Sequence, residues 1–308
     1  MLLPFKAICQ INGETMTQKQ ASVIINTKDR FSRLYIVLKA LEGQVDESLE
    51  VIVVFDGCSQ ETLGNLNNIK VSYPVKDIVL EKNLGRAAAR NIGAKAATGN
   101  VIIFIDDDRI PGPDFVRKHI LAHRRKCIVL GNRRDILLNE EEIGAIVSST
   151  HKLTEFLQNL DSKANRALDS HETFFRRVLF FRSNPLIWLL FYTGNVSMDR
   201  EDLVKVGFFD ENFQGWGYED LEIGYRLYKE GILFFKDKQI TNYHLAHEIS
   251  INEMHNEALR NLKYFSKKVK GDILAKFVIW LLKILMYIRL CRRHLVRANS
   301  VKKRLATL

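Results

Sequence analysis

The chain has 308 residues, of which 46% are hydrophobic and 27% are charged, so it can bury a full α/β core and is not a disordered protein. Its four cysteines are scattered without a CxxC pair, which argues against a disulfide framework or a thiolate zinc site and favours a reducing cytosol. The net charge of +10 is spread unevenly. Residues 260–308 contain fourteen Lys/Arg and one acidic residue, whereas the rest of the chain has 32 basic and 35 acidic residues. A nearly neutral body argues against a nucleic-acid partner.

The first part of the chain alternates apolar strands with helices. Residues 1–20 carry little pattern and are predicted to be a leader or an edge element. Strands are predicted at 21–26 (ASVIIN), 49–55 (LEVIVVF), 77–80 and 101–105 (VIIFI), with helices at 31–41 and in the Ala-rich stretch after Asn83. This alternation predicts a parallel doubly wound sheet, whose ligands bind at the carboxyl ends of the strands.

Three carboxylates, Asp106, Asp107 and Asp108, follow the VIIFI strand directly. The unbroken apolar run is typical of a strand buried on both faces. Adjacent negative charges repel one another, so the triplet does not favour stability and suits the binding of a divalent cation. An isolated acidic cluster is more often a solvated turn, so the metal prediction depends on the rest of the chain.

The second part continues the pattern with less regularity. A turn at 111–114 is predicted to begin a helix, and 127–131 to form a strand. The region 140–190 begins acidic and becomes helical. Further predictions are a lid or an acceptor-binding insertion at 174–191, a short strand at 193–198, a glycine loop and helix at 215–231 (GWGYEDLEIGYRLYKEG), and strands at 232–236 and 239–244.

The tail contains the apolar segment KFVIWLLKILMYIRL, which is interrupted by Lys283 and is shorter than the ~20 residues of a spanning helix. Its apolar bulk, Trp280, Tyr287 and the flanking Lys/Arg suit a helix that lies in a membrane interface. Two alternatives stay open: helices that pack on the catalytic domain, and an oligomer or partner interface.

The motifs are more specific in their order than one by one. Six motifs occur in turn over residues 21–250: a Thr after the first strand, Asp-Gly after the second, NLG with ARNIG, the acidic triplet, GWGYED and a Tyr-His pair. With these motifs the sequence resembles the family 2 glycosyltransferases, in particular the transferase domains of bacterial chondroitin polymerases and, more distantly, the animal β-1,4-galactosyltransferases. The resemblance implies an α/β fold of the GT-A type: a Rossmann-like doubly wound mixed sheet, mostly parallel, with a C-terminal helical extension. The GT-A domain would occupy 21–255, with a nucleotide-binding half (21–110) and an acceptor half (111–255), before a basic amphipathic helical tail at 256–308.

The same resemblance implies donor-binding roles for five residues. Thr27 and Asp29 would lie by the uridine, and Asp56 would accept a hydrogen bond from the uracil ring. The family more often has Asp-Asp-Gly at this point, so this chain offers one carboxylate instead of two. Arg90 would hold the nucleotide or order the acidic loop, and Asp106 would face the ribose.

It also implies a metal and a base. Asp108 and His244 would ligate Mn²⁺ or Mg²⁺, with His247 as the alternative to His244, while pyrophosphate oxygens and water complete the shell. Asp107 is interpreted as the spacer of the motif, with a direct donor contact as the less favoured alternative. Asp220 would take the proton of the acceptor hydroxyl as attack proceeds.

Three more residues would contact sugars. Asn195, after Gly194, would lie near the donor sugar, and Trp216 would offer an apolar face to a sugar ring. Glu219 would bind acceptor or donor hydroxyls. A single displacement from an α-linked UDP-sugar would invert the anomeric carbon and give a β-linked product.

The predicted function is therefore an inverting, metal-dependent glycosyltransferase that moves a hexosyl or N-acetylhexosaminyl group from a UDP-sugar to a glycan or lipid-linked acceptor. It would be cytoplasmic and peripheral on the inner face of the membrane. One alternative is a nucleotidyltransferase, which would ordinarily show a Gly-rich phosphate loop where this chain has NTKDRFSRL. The other is a non-catalytic module that binds glycans or nucleotide sugars, against which the paired carboxylates and the Tyr-His pair argue.

Overall fold

The computed structural model describes residues 8–11, 14–17, 19–124, 126–166, 185–247 and 251–287. The chain divides into two compact units, Met1–Glu211 with Asp220–Glu248, and Asn212–Glu219 with Ile249–Leu308. The predicted domain bounds at 21–255 and 256–308 stay predictions.

The strands are β1 (Ile8–Ile11), β2 (Glu14–Thr17), β3 (Ala21–Thr27), β4 (Leu49–Asp56), β5 (Val75–Leu80), β6 (Val101–Asp106), β7 (Arg109–Pro111), β8 (Ile128–Leu137), β9 (Asn165–Arg166), β10 (Val196–Asp199) and β11 (Phe234–Ala246). The helices are α1 (Phe31–Ala40), α2 (Gln60–Gly64), α3 (Arg86–Ala96), α4 (Phe115–Ala122), α5 (Glu140–Val147), α6 (Thr150–Gln158), α7 (Leu160–Lys163), α8 (Arg200–Lys205), α9 (Glu219–Lys229), α10 (Ile251–Lys268) and α11 (273–287). Short 3₁₀ turns lie at Leu66–Asn68 and Ile187–Leu190.

The main sheet has the strand order β5-β4-β3-β6-β10-β8-β11-β7, with β9 beside β8. The four strands at one end of this order, β5, β4, β3 and β6, are parallel to one another. Strand β10 runs antiparallel to both of its neighbours, β6 and β8, and β8 and β11 are parallel to each other. This mixed, mostly parallel sheet with helices confirms the predicted fold class. The leader region forms a separate antiparallel pair, β1 and β2.

The apolar strands of the sheet are buried because helices cover them. In β3, β4 and β6 nearly every residue is buried, as their unbroken hydrophobic sequences predict. Helix α3 contacts β3 and β4 closely. A Cβ on Gly93 of this helix would lie 2.6 Å from Cγ2 of Ile24, so the Ala/Gly face is what permits this approach. The packing fixes the carboxyl ends of β3, β4 and β6, where the acidic residues follow.

Three predicted strands were wrong in extent. The strand predicted at 127–131 continues through Leu137. The strands predicted at 232–236 and 239–244 are one strand, β11, which pairs with β8 across an irregularity between Lys236 and Thr241. The polar residues at this irregularity resemble a turn in the sequence, but a bulge absorbs them without ending the strand.

The insertion predicted at 174–191 falls largely on residues 167–184, which lie outside the described residues, as does the end of the tail from 288. The described part of the tail is helical, as predicted, in α10 and α11. Across the described residues, no helix is both long enough and apolar enough to cross a bilayer.

Candidate active site

Strand β11 brings two histidines to the acidic triplet. Strand β7, which begins directly after Asp108, pairs antiparallel with β11, and the amide of Leu245 donates to the carbonyl of Asp108 at 2.9 Å. Nε2 of His244 and Nε2 of His247 lie 3.7 Å and 3.5 Å from Oδ2 of Asp108. Ligand atoms of the three residues all lie within 4.8 Å of one another. We call Asp108, His244 and His247 the metal cluster.

The metal cluster fits a divalent ion. Mg²⁺ is usually bound through oxygen, so a carboxylate with two imidazoles suits Mn²⁺ better. Arg30 already places positive charge there: its Nη1 donates to Oδ2 of Asp108 at 2.8 Å, and its Nη2 lies 3.2 Å from Nε2 of His247. Its side chain is 32% exposed, so the guanidinium can turn toward solvent and leave the ligand atoms to a metal.

Asp135 orients the imidazole of His244. The two residues face each other across the parallel pair β8–β11, and Nδ1 of His244 lies 2.9 Å from Oδ1 of Asp135, which is fully buried. A histidine that donates from one ring nitrogen to a carboxylate presents the lone pair of the other to a metal. Arg133 donates from Nε to the same carboxylate at 2.6 Å. Burial, followed by the charge of Arg109, lowers the pKa of His244 to about 4, so the ring is neutral at pH 7.

Asp107 and Asp108 are adjacent but differ in their surroundings. Burial, then the charge of Asp108, raises the pKa of Asp107, whose Oδ2 accepts a hydrogen bond from Oγ1 of Thr27 at 2.7 Å. Burial also acts to raise the pKa of Asp108, but the hydrogen bond from His247 and the neighbouring cations outweigh it and lower that pKa. Asp108 is therefore the ionised member, and Asp107 lies outside the metal cluster. The hydroxyl of Thr27 is engaged with Asp107, and its contact with the uridine stays a prediction.

Asp29 and Asp56 accept hydrogen bonds from backbone amides. Oδ1 of Asp29 accepts from the amide of Ser59 at 2.7 Å, and this bond is the main reason that the pKa of Asp29 is lowered. Asp56 accepts from the amides of Leu84 and Gly85 at 2.7 and 3.0 Å, so it fixes the loop before α3. Both carboxylates stay candidates for donor binding, since each oxygen has a further lone pair.

Arg90 links the acidic triplet to the predicted base. Its guanidinium lies 3.2 Å from Oδ1 of Asp106 and 3.2 Å from Oδ1 of Asp220, although the two acids are far apart in sequence. The side chain is almost fully buried and lies over the ring of Phe209. Thr193 completes the arrangement, because its amide and hydroxyl both donate to the carboxylate of Asp220 at 3.0–3.2 Å. The position of Asp220 is thereby fixed from two sides.

Asn195 acts within the sheet. Its Nδ2 donates to the carbonyls of Asn132 and Ile240, and its Oδ1 lies 3.0 Å from Nε2 of the buried His119. The amide group thus joins β8 and β11, and the glycine before it, Gly194, is the residue that adjoins Asp106. A direct contact of Asn195 with the donor sugar stays a prediction.

Trp216 and Glu219 belong to the second compact unit. The amide of Trp216 donates to Glu257 at 2.8 Å, and Nδ2 of Asn261 donates to the carbonyls of Trp216 and Gly217, so α10 holds this loop. Gly217 has φ of +99°, which favours glycine. Trp216 is partly exposed and Glu219 is the buried first residue of α9, and their sugar-binding roles stay predictions.

The sequence analysis missed four residues of the site: Arg30, Asp135, Arg109 and Thr193. Arg30 and Arg109 directly follow residues that were singled out, so their charge was a signal. Asp135 lies in the strand sequence IVLGNRRDIL, directly after two arginines, and a carboxylate that is buried in a strand needs a partner. Nothing in the sequence indicates which partner it has.

A mixed sheet with aspartates and histidines at one edge is the architecture of a GT-A glycosyltransferase. The sequence model of "Glycosyl transferase family 2" matches residues 22–181, and that of "N-terminal domain of galactosyltransferase" matches residues 185–248. The chain belongs to glycosyl transferase family 2, and the enzyme is a glycosyltransferase. This confirms the predicted resemblance and favours it over a nucleotidyltransferase.

Relatives and solved structures agree. An uncharacterised glycosyltransferase of Bacillus subtilis (strain 168) is 29% identical over 81% of this chain and 70% of its own length. Chondroitin synthase of Pasteurella multocida (strain Pm70) is 30% identical over 80% of this chain, which spans only 27% of that relative. A mannosyltransferase from Pyrobaculum calidifontis, solved with GDP-Man and Mn²⁺, shares the fold with a TM-score of 0.55 and 15% identity, over 83% of this chain and 65% of that one.

Proposed function

We propose that the protein is an inverting, metal-dependent glycosyltransferase that moves a hexosyl or N-acetylhexosaminyl group from a UDP-sugar to an acceptor hydroxyl. The acceptor would be a glycan or a lipid-linked sugar in surface polysaccharide, glycolipid or other glycoconjugate synthesis. The observation that carries the proposal is the connection, through Arg90 and Asp106, between the metal cluster and the carboxylate of Asp220. Chondroitin synthase among the relatives supports a polymeric or glycoconjugate product.

The metal cluster and Asp220 would have different roles in the reaction. A divalent ion held by Asp108 and His244, with His247 as the alternative ligand, would offset the negative charge that develops on the departing UDP. Asp106 and Arg90 hold the carboxyl end of β6 in place beside it. Thr27 ends β3, Asp29 lies two residues later, and Asp56 ends the neighbouring strand β4, so all three lie at the same edge of the sheet. This is where the nucleoside would be bound.

Asp220 is proposed as the base. An acceptor hydroxyl is too weak an acid to attack as a free alkoxide at neutral pH, so a carboxylate must take its proton during attack. Hydrogen bonds from Thr193 and Arg90 orient both oxygens of Asp220. Attack from the face opposite the leaving UDP then inverts the anomeric carbon.

The test is the substitution Asp220→Asn, which keeps the size of the side chain and removes its basicity. We expect the rate of metal-dependent UDP release with acceptor to fall at least about 100-fold, since general base catalysis contributes about that much or more. UDP affinity should stay within about twofold, a change below 0.5 kcal/mol. Asp77→Asn, on the edge strand β5, is the control and should be active. Normal turnover by Asp220→Asn would remove Asp220 from the base role, and UDP-sugar binding without any UDP release by the wild type would support the non-catalytic module.

We further propose that the tail binds the membrane surface from the cytoplasmic side. Helix α11 exposes Ile273, Phe277, Trp280 and Tyr287, and the rings of Phe277 and Trp280 stack with centroids 5.8 Å apart. Apolar and aromatic side chains on one helix face, within a strongly basic segment, suit an anionic lipid interface. Packing within the protein and oligomerisation are the alternatives.

Point substitutions on the exposed face test this better than deletion, because α11 also has a buried face that includes Val278, Ile279 and Leu282. The double change Phe277→Asn and Trp280→Asn should reduce sedimentation with vesicles of anionic phospholipid at least about fivefold. Leu233→Asn, at a still more exposed apolar residue in the loop before β11, is the control. Undiminished vesicle binding would contradict the membrane role and favour the alternatives.

A further inference from the structure

The loop that precedes α9 and carries Trp216 forms neither a helix nor a strand over residues 212–218, which we call the tryptophan loop. Three of its residues have positive φ: Gly215 at +72°, Gly217 at +99° and Tyr218 at +73°. Residues with a side chain rarely adopt this backbone conformation, and Tyr218 is not a glycine. The tryptophan loop therefore needs contacts from other elements to keep its shape.

Asn261, on helix α10, binds the backbone of the tryptophan loop at three points. Its Nδ2 lies 3.1, 3.3 and 2.9 Å from the carbonyl oxygens of Gln214, Trp216 and Gly217. An amide NH₂ group has two hydrogens, so at least one of them is shared between two carbonyls. The side chain is buried, and the backbone of the loop curves around it.

Glu257 binds the tryptophan loop from the same face of α10, because it lies four residues before Asn261. Its Oε2 accepts a hydrogen bond from the amide of Trp216 at 2.8 Å. The carboxylate also lies against Gly215, where an added Cβ would be 2.3 Å from Cδ of Glu257, so the glycine permits this approach. Helix α10 therefore holds both the amide and the carbonyl of Trp216.

Aromatic side chains anchor the two ends of the tryptophan loop. The buried ring of Phe213 packs edge-to-face on Tyr264 and Phe265 of α10, with centroids 5.0 and 6.4 Å apart. The hydroxyl of Tyr218 lies 3.0 Å from Sδ of Met286 on α11. The tryptophan loop and the two tail helices accordingly belong to one compact unit.

The helix that holds the tryptophan loop lies beyond the region that the family models match. That region ends at residue 248, and α10 begins at Ile251. The side chain of Trp216 is 38% exposed, so its ring is accessible to a ligand. Because the backbone of Trp216 is already held, less conformational entropy is lost when a sugar binds to the ring.

We infer that Asn261 and Glu257 are positioning residues for Trp216, so that helix α10 is part of the sugar-binding site. Both residues act through the backbone of the tryptophan loop and do not contact the sugar. The inference deepens the proposed function and rests on the proposed contact between Trp216 and a sugar ring. It gives the tail a role that is separate from membrane binding.

The test is a double-mutant cycle between Asn261→Ala and Trp216→Ala. In the donor arm, the KM for UDP-glucose, UDP-galactose, UDP-N-acetylglucosamine and UDP-N-acetylgalactosamine is measured from UDP release with Mn²⁺. In the acceptor arm, the KM for 4-nitrophenyl glycosides of the same sugars is measured with the best donor. Calorimetry with Mn²⁺ gives the affinity for UDP, and melting temperatures report folding.

Trp216→Ala should raise KM at least about fivefold in one arm, since an apolar contact with the sugar is lost. Asn261→Ala should raise the same KM at least about threefold and leave UDP affinity within about twofold. The double variant should be within about twofold of Trp216→Ala, because positioning has no effect once the ring is absent.

Variants of Glu257 separate positioning from folding, because this side chain is only half-buried. Glu257→Ala should raise the same KM as Asn261→Ala does, whereas Glu257→Gln keeps an acceptor for the amide of Trp216 and should restore KM to within about twofold of the wild type. Asn256→Ala, at an exposed asparagine of α10, is the control and should not change KM. If Asn261→Ala does not fold, the cycle is measured with Glu257→Ala.

Losses that multiply in the double variant overturn the inference, because α10 and Trp216 would then act independently. An unchanged KM in both Asn261→Ala and Glu257→Ala, or in Trp216→Ala, also overturns it while the proposed function stands. If no Mn²⁺-dependent UDP binding is found in the wild type, the proposed function itself fails and the inference falls with it.

Discussion

The contact between Asp135 and His244 makes the sharpest prediction. The substitution Asp135→Asn keeps the shape of a fully buried side chain and removes its charge. Asp135 accepts from Nδ1 of His244 at 2.9 Å and from Nε of Arg133 at 2.6 Å. Both contacts end on Oδ1 of Asp135, so an asparagine can still offer an oxygen there, but a neutral amide oxygen is a weaker acceptor than a carboxylate. The imidazole then loses the charged acceptor that holds Nε2 toward Asp108.

The expected loss of metal affinity follows from this geometry. Substitution of the charged partner behind a metal-bound histidine costs about 10- to 100-fold in affinity, or about 1.4–2.7 kcal/mol. Because Arg133 becomes unbalanced beside the ring, we expect a value near the upper end. Mn²⁺ binding in the absence of nucleotide, measured by electron paramagnetic resonance of the free ion, reports this affinity without requiring turnover.

A matched control separates metal binding from folding. Asp202 is also buried and lies 3.4 Å from a cation, Lys126, but it is remote in sequence from the metal cluster. Asp202→Asn should leave Mn²⁺ affinity unchanged. If Asp135→Asn binds Mn²⁺ within about twofold of the wild type while its melting temperature is retained, the orienting role of Asp135 is refuted.

Three further predictions concern other parts of the molecule. Arg30→Gln should strengthen Mn²⁺ binding in the absence of nucleotide by about threefold or more, because it removes a competing cation from the metal cluster. Weaker binding in the same titration would show that Arg30 is not a competitor. Gly57→Ala should lower the free energy of unfolding in urea by more than about 2 kcal/mol, since φ is +63° and the added Cβ would lie 2.1 Å from the backbone nitrogen of Asn83. The control Gly43→Ala, at φ of +74° but with open space around it, should cost only about 1 kcal/mol. Equal losses in the two variants would contradict the steric argument. Burial lowers the pKa of His119 from 6.5 to about 3, so the unfolded chain binds the extra proton and stability is lost as pH falls from about 6.5 toward 3. Between pH 7 and pH 5, the free energy of unfolding of the wild type should fall by about 2 kcal/mol more than that of His119→Gln. Parallel pH profiles of the two proteins would be inconsistent with a neutral buried ring.

Much of the fold was predictable because burial leaves a local pattern. The apolar runs in β3, β4 and β6 are continuous since helices cover both faces, and Ala/Gly spacing in α3 indicates a close approach to the sheet. The carboxyl ends of parallel strands meet at one edge, so the positions of the acidic triplet and of Asp56 followed from strand order. The separation of β11 into two strands was wrong because a bulge has the same polar composition as a turn.

The sequence by itself determined which residue types gather at the ligand edge and, through the order of its motifs, the family. Only the tertiary structure decided which of them touch. The pairing of β8 with β11 sets Asp135 opposite His244, and a shift of one residue between the strands would place the two side chains on opposite faces of the sheet. The acidic triplet shows the same division: Asp108 lies beside His244 of β11 and His247 directly after that strand, while Asp107 accepts a hydrogen bond from Thr27 on β3. The identity of the residues is local, but their partners depend on the register of strands that are distant in the chain.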